Sequence, residues 1–207
     1  IAERGIWTAK KRYILNVWDS EGVRYEEPKL KMMGIEAVKS STPAPCRTMI
    51  KDALKLMMSG TEDDVIDFIE NARKEFKSLP PEEIAFPRTA SNIQKYKSSS
   101  DIYVKGTPIH IRGALLFNYY LKKKKLTNKY SEINNGEKVK FLYLKKPNII
   151  QENVLSFIQD FPKEFGLATY IDYELQFEKS FVYPLKAILD AIGWEVEKKV
   201  TLESFFI

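Results

Sequence analysis

The sequence predicts an α+β fold in which helices dominate and a β-hairpin lies near the N terminus. Amphipathic stretches with helical spacing begin after residues 43 and 61, and another covers residues 168–192. The hairpin is indicated by residues 6–18, IWTAKKRYILNVW, which are rich in β-branched and aromatic side chains. Hydrophobic residues make up 44% of the 207-residue chain, enough to bury a substantial core.

The predicted hairpin turns at residues 19–22, Asp-Ser-Glu-Gly, and resumes an extended pattern at Val23–Tyr25. An isolated two-stranded hairpin is only marginally stable in water. We therefore expect it to belong to a sheet whose other strands lie mostly elsewhere.

Two helices are predicted to follow a polar junction at residues 39–43. The first ends at Gly60, which has a low helix propensity. Thr61 caps the second helix, and Asp64 stands three residues later, which approximates a capping box. Prolines at positions 80 and 81 end the second helix.

The middle of the chain is less regular. Residues 88–107 have the composition of a loop, and residues 109–121 could form a helix that ends in the lysine run 122–125. Asn-Asn-Gly at 134–136 is a turn signal, and residues 138–146 alternate sufficiently to predict a strand.

The last regular segment, residues 168–192, is predicted to form one or two helices that break near Pro184 and stop at Gly193. No internal repeat is present in the sequence.

Composition limits the partners and the compartment. The net charge is +5 and the pI about 9.0, a balance that suits a polyanionic partner and suits a plain solvated surface nearly as well. Cys46 is the only cysteine, which excludes an intrachain disulfide and indicates a reducing compartment. No apolar run approaches the roughly 18 residues that span a membrane. Because the chain begins with Ile1 and reads at once as mid-domain sequence, we expect a piece of something longer.

Catalytic residues are hard to find. His110 is the only histidine, so a zinc site is not expected, and the nine glycines form no phosphate-binding loop. Asp172 and Glu174 invite a metal role, but side chains two apart on a helix do not face the same way. The sequence therefore predicts no catalytic residue, metal or cofactor in this chain.

The basic residues are more informative. Lys10, Lys11 and Tyr13 fall on the predicted first strand, where Lys11 and Tyr13 would share a face and could donate to phosphates and minor-groove acceptors. A solvated basic strand is the alternative. Residues 39–42, Lys-Ser-Ser-Thr, supply a cation and three hydroxyls at a helix start, which fits either a phosphate cradle or a plain N-cap.

The C-terminal tail carries three large apolar side chains, Leu202, Phe205 and Phe206. They either fold back on the domain's own core or order in a hydrophobic pocket of a partner. Leu-x-x-Phe-Phe resembles the motif by which replication proteins bind ring-shaped sliding clamps, with Lys199 in place of the usual glutamine.

Four short motifs follow one another within residues 10–43. A Lys-Lys-Arg-Tyr run at 10–13 precedes Glu-Pro-Lys-Leu-Lys at 27–31, Met33-Gly34 and Lys-Ser-Ser-Thr-Pro at 39–43. In this order they resemble the C-terminal part of the family B replicative DNA polymerases of T-even-type bacteriophages. Supporting matches lie at Ser91–Tyr96, His110–Gly113, Gly136–Val139 and Glu178–Phe181, so the likeness covers nearly the whole chain.

The resemblance implies a helix-dominated polymerase thumb domain with a hairpin left over from the palm. The palm strand would touch the primer end through the minor groove, and the thumb would wrap the product duplex. The implied DNA contacts are Lys10, Lys11, Tyr13, Lys39, Ser40, Ser41, Asn92, Lys95, Arg112 and Lys179. The implied sliding-clamp contacts are Leu202, Phe205 and Phe206.

It also implies an organisation: residues 1–34 as a C-terminal palm segment, 35–196 as the thumb and 197–207 as a flexible clamp-binding tail. The catalytic aspartates lie upstream in the family, so the two Mg²⁺ ions belong to the complete polymerase. The implied partners are primer–template duplex, the sliding clamp and the remaining palm, fingers and exonuclease domains, in the cytoplasm of an infected bacterium. Residues 122–135 and 147–167 depart from the family pattern.

We interpret the chain as a non-catalytic thumb fragment that grips DNA and docks on the clamp for processivity. Two alternatives stay open: a stand-alone module that binds a clamp or another protein, and one subunit of a split DNA polymerase.

Overall fold

Three antiparallel strands form a sheet at the start of the chain, in a computed structural model that describes residues 1–198. They are β1 (Ala2–Ala9), β2 (Arg12–Ser20) and β3 (Val23–Met33), in the order β1-β2-β3. The predicted turn is confirmed: Glu21 and Gly22 link β2 to β3, and both have positive φ, which matches the right-handed twist of the strands.

The predicted strand over residues 6–18 is wrong in one respect, because it is two strands. Lys10 and Lys11 form the tight turn between β1 and β2, and Lys11 has φ 62°. Lys11 and Tyr13 therefore do not share a strand face as predicted. Gly34 makes room for this turn, since a Cβ there would lie 2.5 Å from the carbonyl oxygen of Lys11.

The two faces of this sheet differ in burial. Ile6 and Ile14 pair across β1 and β2 on the buried face. On the other face Trp7, Tyr13 and Met33 form a row across all three strands, and Trp7 is 66% exposed and Met33 46% exposed. This row is an apolar surface that the described part of the chain leaves open.

The chain forms two compact units. The first contains residues 1–39, 45–78 and the segment from 177 onward, and the second contains 40–44 and 79–176.

The first unit holds the sheet and two long helices, α1 (Ala44–Ser59) and α2 (Glu62–Phe76). The predicted capping box is confirmed: the Thr61 hydroxyl accepts from the Asp64 amide at 3.3 Å, and the Asp64 carboxylate accepts from the Thr61 amide at 2.8 Å.

A short helix, α3 (Pro81–Ile84), begins the long continuous segment of the second unit. The three strands of that unit's sheet are β4 (Phe86–Thr89), β5 (Lys138–Tyr143) and β6 (Val154–Phe157), antiparallel in the order β4-β5-β6. The predicted strand at 138–146 is thus confirmed in its main part. The loop predicted for 88–107 is wrong at its start, which belongs to β4, and at Ile93–Tyr96, a 3-10 turn.

The helix predicted at 109–121 is confirmed as α4 (Ile109–Lys123). It packs on β6, and the close approach depends on Gly113, where a Cβ would lie 2.5 Å from the Ser156 hydroxyl. The Ser156 hydroxyl donates to the carbonyl of His110 at 2.8 Å, which fixes the first turn of α4 on this strand.

Beyond a 3-10 turn at Ala168–Tyr170, the backbone continues through α5 (Tyr173–Phe177), a π-helical turn at Glu178–Val182 and α6 (Tyr183–Leu189). The predicted division near Pro184 is confirmed in part: α6 begins at Tyr183, but the π turn joins it to α5 without a gap in the helical backbone. Proline lacks an amide hydrogen and crowds the carbonyl four residues earlier, and the wider π turn just before it accommodates both effects.

A 3-10 turn at Asp190–Ile192 follows α6 and ends at Gly193, which has φ 75° and so confirms the predicted stop. Within residues 1–198, no helix has both the length and the apolar character that crossing a membrane requires.

Candidate nucleic-acid interface

A pocket of about 360 Å³ in the second unit is lined by hydroxyl and cationic side chains. Its lining residues are Ser40, Ser41, Pro87, Arg88, Thr89 and Lys138. This lining contains two cations and three hydroxyls and lacks any carboxylate. Such a set of donors suits an anion with several acceptor oxygens.

The sheet register places two of these side chains together. Thr89 on β4 is directly opposite Lys138 on β5, and directly paired residues of an antiparallel sheet project to the same face. Lys138 is exposed and forms no ion pair within residues 1–198, so its ammonium is available to a ligand. Its neighbour on the same face, Lys140, donates to the carbonyl of Glu82 at 3.0 Å.

Arg88 connects β4 to the Ser40–Ser41 segment. Its Nη1 donates to the Ser41 carbonyl at 2.7 Å, and its guanidinium lies over the rings of Phe86 and Phe141, with 5.7 and 5.9 Å to their centroids. Burial lowers the pKa of Arg88, and the nearby Tyr143 opposes this effect. Since arginine remains protonated at neutral pH, the pocket keeps this charge.

Asn92 and Lys95 lie on a second ordered turn of the same unit. Asn92 adopts the left-handed conformation, with φ 58°, and its amide donates to the Asn135 side chain at 2.5 Å. The amide of Gly136 donates to the carbonyl of Ala90 at 2.8 Å. The predicted turn at 134–136 therefore holds the segment that presents the exposed Lys95.

Arg112, on the first turn of α4, is held by its neighbours. Its Nη2 donates to the side chain of Asn153, and its guanidinium lies 5.7 Å from the ring centroid of Tyr103. Tyr103 in turn donates to Glu152. This network fixes the side chain, and a DNA contact by Arg112 stays a prediction.

The other predicted DNA contacts lie in the first unit. Lys10 and Lys11 are exposed at the hairpin turn, and Tyr13 is half-buried on β2. Lys39 bonds to the Glu36 carboxylate at 2.8 Å. Lys179 lies on the π turn, 5.6 Å from the ring centroid of Tyr183. These positions also stay predictions, because binding by them is untested.

The structure thus brings Ser40 and Ser41 together with three side chains that sequence reasoning missed, Arg88, Thr89 and Lys138. Lys138 lies on a strand that the sequence predicts, but the composition of residues 88–107 predicts a loop, so the sequence does not predict the pairing with Thr89. The predicted clamp contacts Leu202, Phe205 and Phe206 lie outside the described residues.

The side chains whose chemistry would suit catalysis lie in environments that the fold explains. The Asp172 carboxylate accepts from the amide of Leu175 at 3.1 Å and so caps α5. Burial and the nearby Arg88 lower the pKa of His110. Burial raises the pKa of the Cys46 thiol to about 11. No group of three metal-ligating side chains occurs among residues 1–198.

The chain is similar in sequence to parts of two phage DNA polymerases. No family model matches it. It is 33% identical over 206 residues to the DNA-directed DNA polymerase of Enterobacteria phage T4, covering 98% of the chain and 22% of that protein. It is 36% identical over 207 residues to the DNA-directed DNA polymerase of Escherichia phage RB69, again covering 98% of the chain and 22% of the relative.

A solved structure shows the same fold. The family B DNA polymerase of the hyperthermophilic archaeon Pyrobaculum calidifontis matches with a TM-score of 0.58 at 15% identity, over 94% of this chain and 22% of that one. The chain therefore spans about a fifth of the length of the proteins it matches.

Proposed function

Nearly the whole chain is homologous to a segment of the family B DNA polymerases of phages T4 and RB69, and we propose that it is the thumb segment, gripping primer–template duplex. The grip is carried by the pocket of Ser40, Ser41, Arg88, Thr89 and Lys138, whose donors fit a backbone phosphate. Phosphate contacts position a protein on DNA without reading its sequence, as a replicative enzyme requires.

In this proposal the chain contributes grip and no chemistry. Adding a deoxynucleotide needs carboxylates that hold Mg²⁺, and the candidate Asp172 serves as a helix cap. The catalytic metals and carboxylates would come from the remaining palm, in the cytoplasm of an infected bacterium.

Salt dependence of duplex binding tests the grip. If the chain makes about six phosphate contacts, affinity should fall roughly 10³-fold between 50 and 200 mM salt. Lys138→Met should weaken binding to every duplex sequence alike and reduce the salt slope by about one. The matched control is Lys105→Met, which removes another exposed charge outside the pocket lining and should leave the slope nearly unchanged. A shallow slope in the unaltered chain would contradict the grip.

We further propose that Leu202, Phe205 and Phe206 dock on a sliding clamp. A clamp tether would raise the effective concentration of the duplex grip near DNA and so increase overall affinity without new contacts. Deleting residues 202–207 should abolish association with a T-even-type phage clamp and leave binding to short duplexes unchanged. Equal clamp binding by the truncated chain would refute the docking role.

The exposed row of Trp7, Tyr13 and Met33 favours a second candidate, a subunit or module that docks on protein. In a split polymerase, the palm portion would cover the row. In a stand-alone module, the basic residues would only solvate the surface, and no duplex binding would be measurable at low salt. A pull-down with the N-terminal polymerase portion, followed by primer extension, distinguishes this candidate from a grip that works alone.

A further inference from the structure

One carboxylate bridges two cations beside the N-terminal hairpin. Glu36 opens a 3-10 turn, Glu36–Val38, that follows β3. Its Oε2 accepts from Arg12 at 2.8 Å and its Oε1 accepts from Lys39 at 2.8 Å, so each carboxylate oxygen holds one cation. The side chain of Glu36 is 20% exposed, while Arg12 is 33% and Lys39 44% exposed.

The bridge lies next to the lysine turn. Arg12 begins β2 directly after Lys10 and Lys11, and Gly34 lies close to this corner. A Cβ at Gly34 would lie 3.0 Å from Arg12 Cγ and 2.5 Å from the Lys11 carbonyl oxygen. Glu36 therefore links Arg12, at the corner that carries the lysine turn, to Lys39, which follows β3 in the sequence.

The bridge contributes little to the stability of the fold, because ion pairs that are partly exposed to solvent are weak. As a negative charge among four cations, Glu36 should even repel a phosphate. Its other effect is to order two long side chains before a ligand arrives. Ordering one such side chain only on binding weakens affinity by roughly two- to tenfold.

We propose that Glu36 is a positioning residue that preorganises Arg12 and Lys39 beside the lysine turn as one surface for backbone phosphates. The proposal rests on the duplex grip proposed above and adds a residue that opposes DNA by charge yet favours binding by geometry. A purely electrostatic role and a positioning role therefore predict opposite results.

Glu36→Asp separates the two roles because it keeps the charge and shortens the side chain by one methylene, so that one carboxylate no longer spans both cations. Positioning predicts duplex binding weaker by roughly two- to tenfold, with an unchanged urea midpoint. Charge alone predicts no change. The matched control is Glu26→Asp, an exposed carboxylate on β3, which should bind like the unaltered chain.

A double-mutant cycle with Lys39→Met completes the test. If Glu36 acts through Lys39, the effect of Glu36→Asp should shrink in the Lys39→Met background. Loss of affinity on Lys39→Met together with unaltered or tighter binding by Glu36→Asp would overturn the inference alone. Unaltered affinity and salt slope on Lys39→Met, and on Lys10→Met with Lys11→Met, would instead remove the duplex contact at this surface.

If Glu36→Asp lowers the urea midpoint, the variant Glu36→Gln is used instead, because glutamine keeps the length of the glutamate side chain. Its weaker hydrogen bonds should loosen both cations, so positioning predicts weaker binding at both 50 and 200 mM salt. Tighter binding at both concentrations would overturn the proposal.

Discussion

At the scale of single residues, burial determines the properties of the Cys46 thiol. Its Sγ lies 3.2 Å from the hydroxyl of Ser180, and both residues are buried. The sequence excluded a disulfide from the cysteine count alone. It could not predict this contact, because the two residues are separated by 134 positions and meet only through the packing of the first unit.

The buried thiol predicts a stability that falls at high pH. Burial raises the pKa of Cys46 from 9.0 to about 11, so the unfolded chain loses this proton first. The contribution is complete below pH 9 and is lost as the pH rises through 11. Two pKa units correspond to about 2–3 kcal/mol.

Urea unfolding at pH 7.5 and pH 10.5 measures this effect. The unaltered chain should lose more of its free energy of unfolding than Cys46→Ala, whose loss reports the other groups that titrate in this range, among them tyrosines and lysines. Equal losses in the two proteins would show that the thiol is not buried as described.

At the scale of elements, long periodic segments were predictable and short strands were not. The spacing of apolar residues located α2 and α4, each of which buries one face. β4 and β6 have four residues each: β6 is buried at all four positions and so shows no alternation, and β4 contains Pro87, which is tolerated because β4 is an edge strand. The β1–β2 turn was hidden because Lys-Lys is not a usual turn pair.

Two glycines with positive φ provide a matched test of that turn. Gly34 has φ 69° and its missing Cβ would meet the Lys11 carbonyl at 2.5 Å, whereas Gly22 has φ 83° and open space around it. Gly22→Ala should cost only the left-handed strain, about 1–2 kcal/mol. Gly34→Ala should cost clearly more in urea unfolding and should also weaken duplex binding, since it moves the lysine turn. Equal costs would mean that the turn adjusts freely.

At the scale of the whole molecule, the pocket could not be predicted because its walls come from three distant parts of the sequence. Ser40 and Ser41 belong to the second unit although they precede α1, while Arg88 and Thr89 lie on β4 and Lys138 on β5. Local sequence patterns predict helices and strands, but the cationic lining arises only where β4 pairs with β5 in the folded sheet.

The division of the chain predicts that residues 79–176 fold alone. This stretch is continuous and contains the second unit's sheet, α4 and several buried aromatic side chains, among them Phe117, Phe157 and Phe165. It should show one cooperative urea transition by circular dichroism. The fragment should bind duplex more weakly than the full chain because it lacks Ser40 and Ser41. Residues 1–78 serve as the control and should show no such transition, since they lack the segment that completes their unit.

That missing segment also determines when the first unit can form during synthesis. Phe177 meets Phe76 with 5.1 Å between ring centroids, and Phe181 meets Phe68 at 6.5 Å, so residues translated late complete a core begun early. At typical ribosomal rates about a hundred intervening residues take roughly 5–20 s. The part of the chain that is made first is therefore the part whose core is completed last.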